Sequence, residues 1–427
     1  MARDANPKDG RPRGATSARR GGKPRKGFRS ALAAPQGSVH AWGLQDEAAL
    51  LRQAWHRYAE PVSGRYTHDF HPYAARMHPD VCGMLIEAFS EAGGWVVDPF
   101  CGSGTVAVEA RAAGRRFAGN DLHPLAVRLS GLKSDVRTPA SLRHFEARAT
   151  HIARSANGRV TRQETEVPPI DDDEARWYAP HTRQELAVLW SFIERERDPW
   201  AQEAFRLAFS AILVKCSLQR SETDPKRVET RMSPGMPLRL FEHRCLTLAR
   251  GLAELSRAAQ RAGGAVGAEE VDTPPAALSC GDGLTWGLGW QRPGTLVLTS
   301  PPYAGYYDYV EHHNRRLAWL GINVDDMQQG ERFSRREQHA SSWAEESRAL
   351  LMSLAAAAGP GGRVLLWIGD PLLGGEIVPA RRALADAAHA AGLRWVAGVS
   401  QNAPRAREQR REEHVFLLAP RDAARAA

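Results

Sequence analysis

The chain has few cysteines and no long hydrophobic run. Its five cysteines are scattered through 427 residues with no C-x-x-C pair, which disfavours structural zinc and disulfide frameworks and fits a reducing cytoplasm. No apolar run approaches the ~20 residues that a bilayer span needs. We therefore expect a cytoplasmic protein that binds neither a metal nor a membrane.

Excess positive charge is confined to the N-terminal tail. Residues 1–30 contain ten Lys or Arg against two Asp, which equals the net charge of +8 of the whole chain, so the remaining residues sum to zero. This Gly-, Pro-, Ala- and Arg-rich segment cannot bury enough apolar surface to fold alone. We predict a disordered basic tail over residues 1–38. It is either a nonspecific phosphate-binding arm or a solubilising terminus; Asp4 and Asp9 count against a transit peptide.

Residues 93–110, GGWVVDPFCGSGTVAVEA, combine a buried strand, a Gly-rich turn and a helix that opens at Thr105. Gly102 and Gly104 let backbone N–H groups approach a ligand at the mouth of a parallel sheet. The dinucleotide pattern G-x-G-x-x-G is absent. Asp98 ends the strand, where a carboxylate would repel a pyrophosphate and attract an amino group.

Two further acids follow predicted strands. Asp121 ends the strand over residues 116–119, where an acid holds the ribose hydroxyl pair in sheets of this kind. Asp282 lies in the turn LSCGDGL, just before another buried strand. Acceptors for an amino group and a ribose, without phosphate donors, favour S-adenosylmethionine over NAD or ATP as the cofactor.

The segment TSPPY presents three groups suited to an aromatic amine. Ser300 offers a hydroxyl, the carbonyl between Pro301 and Pro302 is a rigidly held free acceptor, and Tyr303 offers a ring that stacks on a flat base. Acceptors for the hydrogens of an NH₂ group would localise its lone pair. The alternative is a proline-stiffened turn after a buried strand.

Together these motifs resemble the amino-methyltransferases that modify exocyclic nitrogens of DNA bases. The match comprises HPYAARMHP (residues 71–79), DPFCGSGT, Asp121, GDGL, TSPPY and YYDYVEHHNRRLAWLG, and it covers roughly residues 69–135 and 277–420. It implies an α/β, Rossmann-like class I methyltransferase sheet of seven mostly parallel strands, in an unpermuted chain with the cofactor loop first. DPFCGSGT also occurs in RNA guanine methyltransferases.

The resemblance also implies roles for individual residues. Asp98 would face the methionine amino group, Asp121 the ribose and Asp282 the adenine. The remaining predicted cofactor contacts are Tyr73, Arg76, Phe100, Gly102 and Gly104; Phe100 could equally be a core residue. Ser300 and the Pro301 carbonyl would accept the amine hydrogens, and Tyr303 would stack on a base flipped out of the duplex.

Residues 136–270 form an insert between two parts of the methyltransferase domain, 39–135 and 271–420. We expect a polar linker at its start, including VPPIDDDE, then a helix that begins at Asp198 and Pro199 and another that ends before Gly263. The loop between these helices is basic, which suggests target recognition or only a solvated surface. The predicted nucleic-acid contacts are Lys215, Arg220, Lys226, Arg227 and Arg231.

Outside the insert, a helix is expected over residues 43–59 and an Ala/Arg-rich helix that ends at Gly392. Strands are expected over residues 363–368, 394–400 and 414–419, the last two forming an antiparallel edge of the sheet.

The predicted activity is methyl transfer from S-adenosylmethionine to an exocyclic amine of double-stranded DNA, without a covalent intermediate. No Pro-Cys dipeptide supplies the nucleophile that a carbon-5 cytosine enzyme needs. The initial Ser of the tetrapeptide favours cytosine N4 by analogy with the family. The alternatives are an adenine-N6 enzyme, an RNA amino-methyltransferase, a small-molecule methyltransferase and a noncatalytic nucleic-acid-binding protein. A cognate restriction nuclease and a nucleoid location complete the expectations.

Overall fold

The computed structural model describes residues 38–62, 64–73, 76–222, 224–229, 232–263, 275–302, 309–323, 340–373, 376–402 and 411–421. The predicted basic tail lies outside these residues except for Ser38. So do two predicted site residues, Tyr303 and Arg231.

The strands are β1 (His40–Gly43), β2 (Trp95–Asp98), β3 (Arg116–Asp121), β4 (Gln219–Ser221), β5 (Asp224–Arg227), β6 (Ala277–Cys280), β7 (Leu296–Thr299), β8 (Arg363–Gly369), β9 (Leu372–Leu373), β10 (Glu376–Ile377), β11 (Leu393–Asn402) and β12 (Glu412–Pro420). The helices are α1 (Gln45–His56), α2 (Pro79–Phe89), α3 (Thr105–Ala112), α4 (Pro124–Lys133), α5 (Pro139–Thr161), α6 (Asp172–Ala175), α7 (Pro180–Glu194), α8 (Pro199–Cys216), α9 (Met236–Ala262), α10 (Gly283–Trp286), α11 (Tyr309–Leu320), α12 (Ala340–Ala358), α13 (Ala380–Ala383) and α14 (Ala385–Ala390).

The described residues form an eight-stranded sheet in the order β6-β3-β2-β7-β8-β12-β11-β1. The first five strands are parallel, with Asp98 opposite Gly119 and Val97 opposite Val297. The central residues of β2, β3, β7 and β8 are almost fully buried, because helices cover both faces of a parallel sheet, whereas β6 at the edge is largely exposed. The α/β fold class with a mostly parallel sheet is confirmed. The carboxyl ends of the five parallel strands lie along one edge.

The antiparallel end of the sheet differs from the prediction in two ways. β12 lies between β8 and β11, so the last two strands do not form the edge themselves. The edge is β1, an eighth strand that pairs with β11 through His40 opposite Ser400. The helix expected over 43–59 therefore begins only at Gln45. Gly43 ends β1 at φ +108°, where a Cβ would lie 2.3 Å from the Val396 carbonyl oxygen.

The insert is mostly helical, and the prediction of a polar linker at its start is wrong. Residues Pro139–Thr161 form the 23-residue helix α5. Thr138 caps it by accepting a bond from the Ser141 N–H at 3.2 Å. Three of its six buried residues are alanines, so the hydrophobic periodicity is weak in the sequence. Only VPPIDDDE, between α5 and α6, matches the expected linker.

The two helices expected later in the insert are present as α8 and α9. Asp198 caps α8 through the Ala201 N–H at 3.0 Å. The core of the insert is continuous with α4 and with Trp319 of α11. The basic loop between α8 and α9 contains the antiparallel hairpin β4–β5. The helix expected before Gly392 is split into α13 and α14 at Leu384.

Candidate active site

Asp98 ends β2 and is fully buried. Its Oδ1 accepts hydrogen bonds from the Phe100 N–H at 3.0 Å and from the Thr299 hydroxyl at 2.6 Å. Its Oδ2 has no hydrogen-bond partner among the described residues. Burial raises the pKa of this carboxyl to about 7, and the two hydrogen bonds oppose the shift only in part. A buried oxygen without a donor is costly, so this side of Asp98 is suited to a ligand that donates hydrogen bonds.

Thr299 was not predicted as a site residue. It ends β7 and immediately precedes Ser300. Its hydrogen bond to Asp98 joins the strand that carries the predicted catalytic segment to the strand that carries the predicted cofactor acid. In the sequence, only the alternation of side chains along the short run LVLT indicates which face of the strand Thr299 lies on. That alternation does not identify Asp98 as its partner.

Asp121 is hydrogen-bonded to the Gly-rich loop. Its Oδ2 accepts from the Gly102 N–H at 2.8 Å, and its Oδ1 accepts from the His123 N–H at 2.9 Å. Burial raises its pKa to about 6, against the effect of both backbone bonds. Each carboxylate oxygen can accept two hydrogen bonds, so Asp121 retains capacity for a hydroxyl pair while it orders the loop.

Two positions of the loop, 102 and 104, are occupied by glycine for different structural reasons. Both have positive φ, +49° at Gly102 and +85° at Gly104. A Cβ on Gly104 would lie 2.7 Å from the Ser130 Cα of α4, whereas a Cβ on Gly102 would meet only the Tyr73 ring, at 3.9 Å. Gly104 therefore permits helix packing, and Gly102 leaves an open face between the loop and Tyr73.

The remaining predicted cofactor residues surround the loop. Tyr73 is buried and stacks on His313 of α11, with ring centroids 4.7 Å apart. Arg76 donates a hydrogen bond to the His68 carbonyl, and burial lowers the pKa of its guanidinium. Phe100 packs against the turn before α10, where a Cβ on Gly283 would lie 2.6 Å from its ring.

Asp282 is exposed and caps α10, because its Oδ1 accepts from the Leu284 N–H at 2.9 Å. The turn that carries it is fixed to β3 by Asn120, whose amide donates to the Gly281 carbonyl at 2.8 Å. Asp282 thus lies at the same edge of the sheet as Asp121, with its second oxygen available for a ligand.

Ser300, Pro301 and Pro302 directly follow β7 at this edge. Pro301 is buried, and the other two are partly exposed. The predicted cofactor acids and the predicted catalytic segment therefore lie at the ends of neighbouring strands, which is where ligands bind in open α/β sheets.

Residues 28–131 match a family model of N6 and N4 methyltransferases that is described as DNA methylase. This match confirms the resemblance to amino-methyltransferases of the N4-cytosine or N6-adenine type. Over these residues the chain is similar to methyltransferases that act on DNA.

None of the curated proteins matches the sequence significantly. Among solved structures, a TehB-like SAM-dependent methyltransferase from Corynebacterium glutamicum aligns over 80% of this chain and 87% of its own, with 10% identity and a TM-score of 0.26. A likeness at that level carries no argument here, and the fold assignment rests on the order and direction of the strands.

Four of the five predicted nucleic-acid contacts lie on the surface of the described residues. Lys215 is exposed near the end of α8, and Arg220, Lys226 and Arg227 are exposed on the β4–β5 hairpin. Arg220 forms an ion pair with Asp224 at 3.1 Å. The hairpin therefore presents the basic side chains of Lys226 and Arg227 to solvent.

Sequence reasoning missed the residues that attach the hairpin to the site. Glu222, in the hairpin turn, accepts from the fully buried Arg316 of α11 at 2.5 Å. Arg316 also donates to the Ser210 carbonyl of α8 at 3.2 Å and to His313 Nδ1 at 3.2 Å. A pair of adjacent arginines at 315 and 316 in an otherwise amphipathic helix was the available signal.

One group of possible metal ligands, Asp370, Glu412 and His414, occurs among the described residues. Asp370 already accepts from the Ala380 N–H, the Glu412 N–H and His414 Nε2, at 2.7 to 2.9 Å. His414 Nδ1 is bonded to the Ser400 hydroxyl at 2.7 Å. Across the described ranges, no helix is long and apolar enough to cross a membrane.

Proposed function

We propose that this methyltransferase transfers a methyl group from S-adenosylmethionine to an exocyclic amine of DNA, with cytosine N4 as the acceptor. The observation that carries the proposal is the environment of Asp98. One oxygen is bonded to Thr299, next to Ser300, and the other is buried without a partner in the described part of the chain. A cofactor with an amino group would supply the missing donors.

The residues present fit that cofactor. Asp98 would accept from the methionine ammonium, Asp121 and Asp282 have oxygens left for the ribose and the adenine, and the open face of Gly102 opposite Tyr73 leaves space for an extended ligand. When bound, S-adenosylmethionine supplies an electrophilic methyl group on a sulfonium.

The chain's own part in the reaction is to hold the target amine and accept hydrogen bonds from it; the proton that the methylated nitrogen loses is released to water. The Ser300 hydroxyl and the Pro301 carbonyl would accept hydrogen bonds from the NH₂ group and stabilise the positive charge that develops on its nitrogen. Such preorganised contacts are typically worth ~3 kcal/mol in the transition state. Tyr303 would stack on the flipped base. A base inside a duplex cannot present its amine in line with the methyl group.

DNA would be contacted by the basic hairpin and by Lys215. The hairpin is exposed on the outside and attached on the inside through Glu222 to Arg316 of α11. Side chains of Arg and Lys provide most phosphate contacts in protein–DNA complexes. We propose residues 136–270 as the target-recognition region. A partner restriction nuclease and a location in the cytoplasm stay predictions.

The test is to express the protein and a Ser300→Ala control in cells that lack base modification, digest the genomic DNA and identify methylated nucleosides by mass. We expect N4-methylcytosine with the parent and none with the control. N6-methyladenine alone would move the assignment to adenine. Modified RNA with unmodified DNA would favour an RNA enzyme. No methylated product, together with no binding of S-adenosylmethionine, would favour a noncatalytic nucleic-acid-binding protein.

A further inference from the structure

Lys133, the last residue of α4, is fully buried directly beneath the Gly-rich loop. Its Nζ donates a hydrogen bond to the Ser103 carbonyl at 2.7 Å. Ser103 lies between the two glycines with positive φ, so the bond fixes the centre of the turn that connects β2 to α3.

Burial of this lysine is expected to cost stability. Within the described ranges, no carboxylate lies within ion-pair distance of its Nζ. Burial lowers the pKa of Lys133 well below its usual range; Arg76 lowers it further, and Asp69 opposes. A buried lysine without a charged partner is costly, and an apolar side chain of similar volume would be cheaper in a purely structural position.

The loop is held at three successive residues. The Cys101 N–H donates to the Asn120 carbonyl at 2.8 Å, the Gly102 N–H donates to Asp121 at 2.8 Å, and the Ser103 carbonyl accepts from Lys133. The first two bonds come from β3, at the side of the loop. Among the described residues, the third bond comes from α4, and the side chain of Lys133 supplies it.

The same helix end also positions the segment that faces the loop. The Thr67 hydroxyl donates to the Lys133 backbone carbonyl at 2.8 Å. Thr67 precedes the segment that leads to Tyr73, whose ring lies opposite Gly102. The end of α4 therefore contacts both sides of the open face, through the backbone on one side and the Nζ on the other.

We propose that Lys133 is a positioning residue for cofactor binding, which holds the Ser103 carbonyl so that the open face of Gly102 and the unpartnered oxygen of Asp98 are preformed. This inference rests on the proposed function. It adds to it a residue that does not itself touch the cofactor.

The experiment compares Lys133→Met with Ser134→Ala and Thr67→Val. Met keeps the volume and removes the donor. Ser134 is the next buried residue, and its hydroxyl bonds only within the helix end, to the Ser130 and Gly131 carbonyls. Thr67→Val removes the hydrogen bond to the backbone carbonyl of Lys133 and leaves the hydrogen bond from Lys133 Nζ to Ser103 in place. Lys133→Gln restores a donor on a chain one atom shorter.

Two quantities are measured for each variant: affinity for S-adenosylmethionine by calorimetry, and amide hydrogen exchange of residues 101–104 in the cofactor-free protein. We expect Lys133→Met to weaken binding at least tenfold and to accelerate exchange at least tenfold in the loop, with unchanged exchange in β7 and β8. Lys133→Gln should recover part of both effects. Ser134→Ala should change neither by more than about twofold.

Unchanged affinity and unchanged loop exchange in Lys133→Met would overturn the proposal, as would equal effects in Ser134→Ala. If Lys133→Met does not fold, Lys133→Gln decides by the same two measurements. If the parent protein does not bind S-adenosylmethionine, the proposed function fails, and loop exchange alone still decides whether Lys133 holds the loop.

Discussion

Asp98 and Asp370 follow two parallel strands of the same sheet, at the same edge, and their surroundings are opposite. Asp98 has one oxygen without a partner in the described structure, and burial raises its pKa to about 7. Asp370 is also buried, but the hydrogen bonds from His414, Ala380 and Glu412 outweigh that burial and lower its pKa. The hydrogen bonds of Asp370 are complete within the protein, and those of Asp98 are not.

On the proposed function, the difference separates a binding position at Asp98 from a structural one at Asp370. Both clusters contain acids, hydroxyls and histidines, and composition alone does not distinguish them. A buried polar atom without a donor destabilises the protein by about 1–3 kcal/mol, and the proposed cofactor would supply the donor that Asp98 Oδ2 lacks among the described residues. A cluster whose atoms are all bonded stabilises the fold.

The largest expected difference between the surroundings of Asp98 and those of Asp370 is in catalysis. Ser300→Ala should lower turnover at least ~100-fold, because it removes an acceptor for the target amine, while binding of S-adenosylmethionine is retained. Ser400→Ala, the matched change in the cluster around Asp370, should leave turnover within about twofold. Rates of transfer of a labelled methyl group to DNA measure both. Full activity of Ser300→Ala would remove this residue from the mechanism.

Next in size is an effect on stability. Asp370→Asn should reduce the free energy of unfolding by about 2–3 kcal/mol, because the amide presents an N–H₂ group to donors that now bond to a carboxylate. Asp98→Asn should reduce the free energy of unfolding much less at pH 8, because it replaces a buried carboxylate that accepts only two hydrogen bonds with a neutral amide. Urea unfolding of the two variants and the parent tests this. Equal losses would contradict the distinction.

The pKa of Asp98 makes cofactor affinity depend on pH. Only the ionised carboxyl attracts the ammonium group, so affinity should rise up to tenfold per unit as pH increases from 5.5 towards 7, and then level off. The raised pKa also means that the folded protein holds a proton that the unfolded chain has lost, so unfolding free energy should fall as pH rises from about 4 to 7. Calorimetry across this range should give a flat profile for Asp98→Asn.

The smallest expected effect lies outside the edge, on the hairpin. Lys226→Ala should reduce the slope of log affinity for DNA against log salt by about 0.9, the value for one lost phosphate contact. Cofactor affinity should stay at the parent value. Arg57→Ala, a change of an exposed arginine that follows α1 and lies outside residues 136–270, is the charge-matched control. An unchanged slope in Lys226→Ala would mean that the hairpin is only a solvated surface.

Much of this arrangement could be predicted because it depends on local pattern. Continuous apolar runs gave the parallel strands, and Asp98, Asp121 and Ser300 were located by the strand ends that they follow. The alanine-rich stripe of α5 gave too weak a period to be distinguished from a linker. The strand β1 depends on pairing with β11, more than 350 residues away. The bonds from Thr299 to Asp98, from Arg316 to Glu222 and from Lys133 to Ser103 are tertiary contacts that no local pattern encodes.

The most direct test is titration of S-adenosylmethionine into the parent protein, Asp98→Asn and Asp370→Asn at pH 8, under conditions where all three are folded. Asp98→Asn should bind at least ten-fold more weakly than the parent, since it loses a charge-assisted hydrogen bond, and Asp370→Asn should bind within about twofold of it. Parent-like affinity in Asp98→Asn, or an equal loss in Asp370→Asn, would contradict the assignment of the cofactor site to the surroundings of Asp98.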